Sequence, residues 1–425
     1  MNYKRRLIVC FVSMLLIYCL YHFISKQTVF VKHAEGYFGI NDYAYYIIIA
    51  KTFWFEGLGN IYKLSFQQHA VSAYIGSNVN TVMPLGITPI ALVVWFPFAF
   101  AARFSMALSY TLWVAFSFGI LFTALWKVGR YVFQVKKLEL LPIMLSFVTI
   151  LSVTMGRTLL LGQTSVLATG LLIYLIYFVH KTAKEFKSGS WLPVLPIIFL
   201  LAIKPTYLAL GLGLLIIYGM WQQAIYSAIA VLFVLICITP ILTTDWILSY
   251  LHQLRTFGGE LIPDAYAWAF APHTMNIFRS AFRNMIGDNL AGLISTIVTC
   301  GFYIGIVGIS LSAKLKGKST NRLSPLSVTK GQLFVLMIAS YLLFAPYAGG
   351  YEDILLLSVF ITVLLIGNPP NLLNYKSILL IGILFLILSH NAFPPNKPLW
   401  VFWIFKAVLL GYMLKFCGFP KERNE

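Results

Sequence analysis

In a chain of 425 residues, 60% hydrophobic and only 10% charged, a mean hydropathy of +0.83 excludes the soluble globular class, in which about a quarter of residues carry charge. The formal net charge of +18 would suggest nucleic acid in a soluble protein. Here Lys and Arg gather in short loops between apolar runs, where they act as topology signals, so no nucleic-acid partner is expected.

Apolar runs of ~20 residues recur along the chain, each long enough to cross the ~30 Å hydrocarbon core as a helix. An outer-membrane barrel would show short alternating segments instead. The reading is an all-α, polytopic integral membrane protein forming a single membrane domain over 1–425. The five cysteines, Cys10, Cys19, Cys237, Cys300 and Cys417, are scattered without a CxxC pair. Neither a disulfide framework nor a zinc site is indicated.

Taken in order, Lys4-Arg5-Arg6 precede an apolar run over 7–24 that reads as an uncleaved first helix with its N-terminus inside. A long outer loop over 25–83 follows, in which the half-apolar stretch 44–54 can lie along the interface as a short helix. The apolar stretch 84–126 is broken at Arg103. The positive-inside bias favours one crossing near 107–126, with 84–102 re-entrant or packed at the outer interface. Spans near 140–156 and 161–180 come next, with an outer turn between them and the basic loop 181–189 inside.

The run 192–218 is too long for one ordinary span at 1.5 Å per residue. It is read as two short helices meeting at Lys204-Pro205 near the outer face, because proline breaks a helix. A span near 224–243 leads to a second outer loop over 244–284. Then come a span near 289–312, a basic cytoplasmic segment over 314–330, and spans near 331–345, 354–367, 377–390 and 399–414. The total is about twelve crossings with both termini cytoplasmic. Most of the thirteen acidic residues then fall outside, which points to an outer-face site.

Several side chains are candidates for chemistry. Asp42 sits among Tyr37, Tyr43, Tyr45 and Tyr46 past the first span. It suits a helix N-cap, and equally a carboxylate that takes a proton from a sugar hydroxyl. Lys204 interrupts an apolar run, and such cations face a cavity or a partner. Arg157 ends a span, where it either snorkels to the interface or joins Lys204 in holding a phosphate. His273, Asn276 and Arg279 offer polar ligands on the second outer loop, and Asp353 with Glu352 opens an apolar run as helix-start carboxylates do. No GxxxxGK[ST] or GxGxxG motif provides a nucleotide cradle, and no Asp-x-Asp pair or His/carboxylate cluster provides a metal site. An enzyme of this kind would draw an activated substrate from the membrane. No cofactor is expected.

These residues resemble a known family. Asp42 with Tyr45 and Tyr46, the prolines Pro84, Pro89 and Pro97, Gly162-Gln163, Ile203-Lys204-Pro205, and Pro346-Tyr347 with Tyr351, Asp353 and Ile354 occur in the order seen in the GT-C membrane glycosyltransferases. The chain is most similar there to family 87, the polyprenol-phosphate-mannose-dependent mannosyltransferase-like proteins, over roughly residues 5–370. The resemblance implies a GT-C-type fold and an inverting transfer of a sugar, mannose first among the choices, from a polyprenyl-phosphate donor to a lipid or glycan acceptor. The transfer would occur at the outer face of the cell (inner) membrane. It implies Asp42 as general base, Lys204 and Arg157 on the donor phosphate, and Tyr45, Tyr46, Gln163, His273, Asn276 and Asp353 as sugar or acceptor ligands. The segment His273-Thr274-Met275-Asn276 departs from the Asn/Gln-Ser type of pattern expected there. Two other readings are a transporter or flippase of lipid-linked saccharides, supported by the broken helix at Lys204-Pro205, and a polymerase or ligase fed by the same lipids.

Overall fold

A computed structural model of the chain describes residues 42–57, 59–76, 82, 85–133, 164–185, 194–255, 285–315, 322–323, 328–344 and 354–366, with isolated positions at 278, 282 and between 403 and 414. The first helix expected over 7–24 and the spans expected near 140–156 and 377–390 lie outside the described residues. What is described is helices joined by short turns, with a two-residue antiparallel ladder pairing Arg322 with Thr329 and Leu323 with Val328. Among the described residues, four helices are long and apolar enough to cross a membrane, over Met106–Val128, Ser165–Thr182, Trp221–Leu242 and Leu290–Ser312.

The chain enters as α1 (Asp42–Lys51), continues through a π-helical turn (Thr52–Glu56) and reaches α2 (Leu64–Ile75). A short helix does form where the stretch 44–54 suggested one, and it is enclosed by protein. Tyr43 to Ala50 are all buried, because eight consecutive apolar or aromatic residues leave no polar face to turn outward, and a helix apolar all round is stable only when enclosed. The enclosing elements are α2, α3 (Ile90–Ala102) and α4 (Met106–Phe133). At 13 residues, α3 is about 20 Å long and falls short of a bilayer core.

The most extensive helix pair is α4 with α5 (Ser165–Glu185). Gly170 makes the approach close: a Cβ there would lie 2.8 Å from the Leu121 backbone. The run 192–218 divides as the sequence suggests, into α6 (Val194–Leu201) and α7 (Pro205–Ile217). Lys204, the residue before α7, is extended at φ −118° and ψ 134°, as the position before proline favours. Pro205 occupies the first turn of α7, where its missing N–H costs nothing.

α8 (Trp221–Leu242) packs on α6 and α7, and α9 (Trp246–Arg255) follows it. The expected loop over 244–284 therefore begins with a helix. Trp246 and Gln253 turn one stripe inward while Ile247, Leu248 and Leu251 remain exposed. α10 (Asp288–Leu315), α11 (Lys330–Phe344) and α12 (Leu356–Ile366) complete the described bundle, with α7 against both α10 and α11.

Candidate functional site

Two of the residues singled out from the sequence come together. Asp42 opens α1, half-buried, and Lys204 stands half-buried at the α6–α7 break. Lys204 is close enough for its charge to act on the Asp42 carboxylate. Asp42 lies outside the membrane-length helices. Burial pushes its pKa up from 3.8 to about 6, and the Lys204 ammonium opposes that rise without cancelling it. The carboxylate is thus still about nine-tenths ionised at pH 7 but more basic than an ordinary aspartate, close to the match between pKa and working pH that proton transfer favours.

α1 is fixed by its aromatic residues. Tyr43 donates its hydroxyl proton to the Ser109 carbonyl at 2.9 Å, and its ring stacks on Trp113 with centroids 5.8 Å apart. Tyr45 donates to Gln67 Oε1 at 3.0 Å, and Gln67 Nε2 donates to the Ile61 carbonyl at 2.7 Å. Tyr46 stacks on Trp95 at 4.9 Å. Both Tyr45 and Tyr46 are buried, so in this structure their rings lie in the packed core that holds Asp42's helix. Lys204 is set on the ring of its neighbour Tyr207, 5.2 Å from the centroid, and its carbonyl accepts from Leu208 N–H at 3.1 Å as α7 begins.

Three residues that the sequence did not mark hold the surroundings. Thr88 donates its N–H to the Ile203 carbonyl at 2.8 Å and its hydroxyl proton to the Ala202 carbonyl. Gln253 on α9 accepts from Leu85 N–H at 2.6 Å and donates to the Tyr62 carbonyl at 2.8 Å. Asn60 donates to Asp245 Oδ1 at 3.2 Å and to Ser249 Oγ at 3.1 Å. Beside it Lys63 pairs with Asp245 at 2.8 Å. The segments expected as the first and second outer loops therefore pack against each other.

Arg157, Gln163, His273, Asn276 and Asp353 lie outside the described residues. Among the described residues, no group of three or more His, Cys, Asp or Glu side chains is placed to hold a metal ion. Comparison of the chain with family models, with curated proteins and with solved structures gives no match.

Proposed function

We propose that this protein is a membrane-embedded glycosyltransferase that moves a sugar, mannose being the first choice, from a polyprenyl-phosphate donor to a lipid or glycan acceptor at the outer face of the membrane. The observation that carries the reading is the meeting of Asp42 and Lys204. They are a carboxylate and an ammonium far apart in sequence, both in or beside short helices and not within a membrane-length one. The mutual packing of the two loop segments is also what an enzyme working from one face requires.

In the proposed step the acceptor O–H gives its proton to the Asp42 carboxylate as its oxygen bonds to the anomeric carbon. The bond from that carbon to the phosphate oxygen breaks on the opposite face, inverting the centre. The electron pair leaves with the phosphate, whose growing charge the Lys204 ammonium stabilises. Arg157 joins Lys204 on the phosphate. Gln163, His273, Asn276 and Asp353 contact sugar or acceptor, and Tyr45 and Tyr46 hold the helix that presents Asp42.

The test is transfer of labelled mannose from polyprenyl-phosphate mannose by membranes carrying the wild-type chain or Asp42→Asn. Wild-type transfer with loss in the variant, at equal membrane insertion, is expected. An Asn variant that transfers at the wild-type rate ends the base assignment. The helix break at Lys204 also favours a second reading, a transporter of the same lipid, which predicts labelled lipid crossing the bilayer with no sugar transferred.

A further inference from the structure

A broken helix leaves carbonyls without their usual donors, and a buried carbonyl needs one. At the α6–α7 break, Leu201 C=O would ordinarily accept from residue 205, but Pro205 has no N–H. Leu201 C=O accepts from Lys204 N–H at 3.3 Å instead. The next two carbonyls, of Ala202 and Ile203, are both taken by one residue from outside the break, Thr88, through its hydroxyl and its N–H. Thr88 is itself buried. The segment carrying it is anchored at its other end, where Leu85 N–H meets Gln253 and the Tyr62 hydroxyl donates to the Ile87 carbonyl at 2.9 Å. The carbonyls that Thr88 grips immediately precede Lys204.

We propose that Thr88 is a positioning residue: its paired hydrogen bonds to the Ala202 and Ile203 carbonyls fix the break and, with it, the backbone that carries Lys204 and sets how strongly the Lys204 charge is felt at Asp42. The proposal rests on the glycosyltransferase reading only for its purpose, since the geometry it concerns is measurable without sugar transfer. Among the described residues, the surroundings of Asp42 make Lys204 the charge to watch. Lys51 and Glu56 pair with each other at 3.2 Å at the far end of α1, Arg103 lies over the Phe55 ring, and Lys63 is held by Asp245. His69 is exposed on α2. Tyr43, the next residue of α1, stays neutral across the range concerned because burial pushes its hydroxyl up.

A lipid-soluble carbodiimide, dicyclohexylcarbodiimide, reacts with protonated carboxyl groups. The extent of Asp42 labelling against pH, read by mass spectrometry on the full chain in membranes, gives the midpoint of its titration. The wild-type midpoint is expected at about 6. Lys204→Met removes the opposing cation and raises it by about one pH unit. Thr88→Val keeps the N–H and the shape but loses the hydroxyl, and is expected to raise the midpoint towards the Lys204→Met value. Thr88→Ser returns it to wild type. In the double variant Thr88→Val adds nothing to Lys204→Met, because it acts through Lys204. Should Thr88→Val fail to insert, Thr88→Cys, a weak donor of similar size, is expected to give an intermediate rise. A midpoint unchanged in Thr88→Val or Thr88→Cys, while Lys204→Met raises it, overturns the proposal. Loss of the glycosyltransferase reading would show separately, as wild-type membranes that transfer no sugar while these midpoints still move.

Discussion

Two of the described helices, α1 and α9, are ten residues long; each lies within an expected outer loop, and they are held in opposite ways. α1 buries every residue from Tyr43 to Ala50 among three neighbouring helices. α9 buries Trp246 and Gln253, is tethered through Asp245, Ser249 and Gln253, and leaves Leu248 73% exposed. A helix enclosed by packing cannot shift without repacking its neighbours, because interiors are close to crystalline density. A helix held by a few polar links near the surface belongs to the low-stability end of a structure, where local opening is easiest. The proposed base is thus on the rigid helix, and the element that covers the neighbouring segment is on the releasable one.

The largest expected break in this comparison is Asp42→Asn, which removes the proposed base and lowers sugar transfer by about 10²–10⁴-fold without disturbing α1. Next comes Ile47→Ala, which opens a cavity in the wall of α1 and costs about 2–5 kcal/mol, read as a drop in the thermal unfolding midpoint in detergent. Gln253→Leu leaves Leu85 N–H and Tyr62 C=O without their partner. It costs about 1–3 kcal/mol, felt as faster proteolysis near α9 more than as global unfolding. Leu248→Ala on the open face of α9 stays within about 0.5 kcal/mol.

Acidity separates the two regions without any mutation. Asp42 must be ionised to accept a proton, so activity falls as pH drops through about 6. Lys204→Met, which removes the cation opposing that rise, moves the fall to higher pH. Asp245 behaves in the opposite sense. Its hydrogen bonds from Lys63 and Thr243 hold its carboxyl down to about 2. The contribution of that link is therefore fully present above the ordinary carboxylate range and is lost only as pH falls towards 2. At pH 5 transfer should be reversibly suppressed while α9 remains as protease-resistant as at pH 7. Simultaneous loss of both would show that the two regions are one cooperative unit.

Much of this was legible in the residues, for physical reasons that differ from place to place. The break at Lys204-Pro205 could be read because an ammonium and a ring without an N–H are both unwelcome inside an apolar helix. Asp42 stood out because carboxylates are scarce in this chain. The burial of α1 had a signal too, the absence of any polar residue between Tyr43 and Ala50, but beside the aromatic residues it looked like an interfacial segment. The stripe of Trp246, Tyr250 and Gln253 is at helical spacing, yet it follows a 22-residue apolar helix whose signal dominates the region. Thr88 was hidden for a different reason. A threonine before a proline is ordinary, and nothing local states that its hydroxyl meets a carbonyl more than a hundred residues further on.

The tie between Lys63 and Asp245 also orders events in time. At roughly 5–20 residues per second of synthesis, the first segment is made about 10–40 s before the acid that will hold it. In that interval Asn60, the Tyr62 carbonyl and Leu85 N–H have neither Asp245 nor Gln253 to meet. A chain that stops short of α9 carries both Asp42 and Lys204 yet cannot close the segment beside them. Closure of the first segment therefore waits on synthesis of α9, and a chain stalled or truncated before Asp245 is expected to leave that segment open to protease near Asn60.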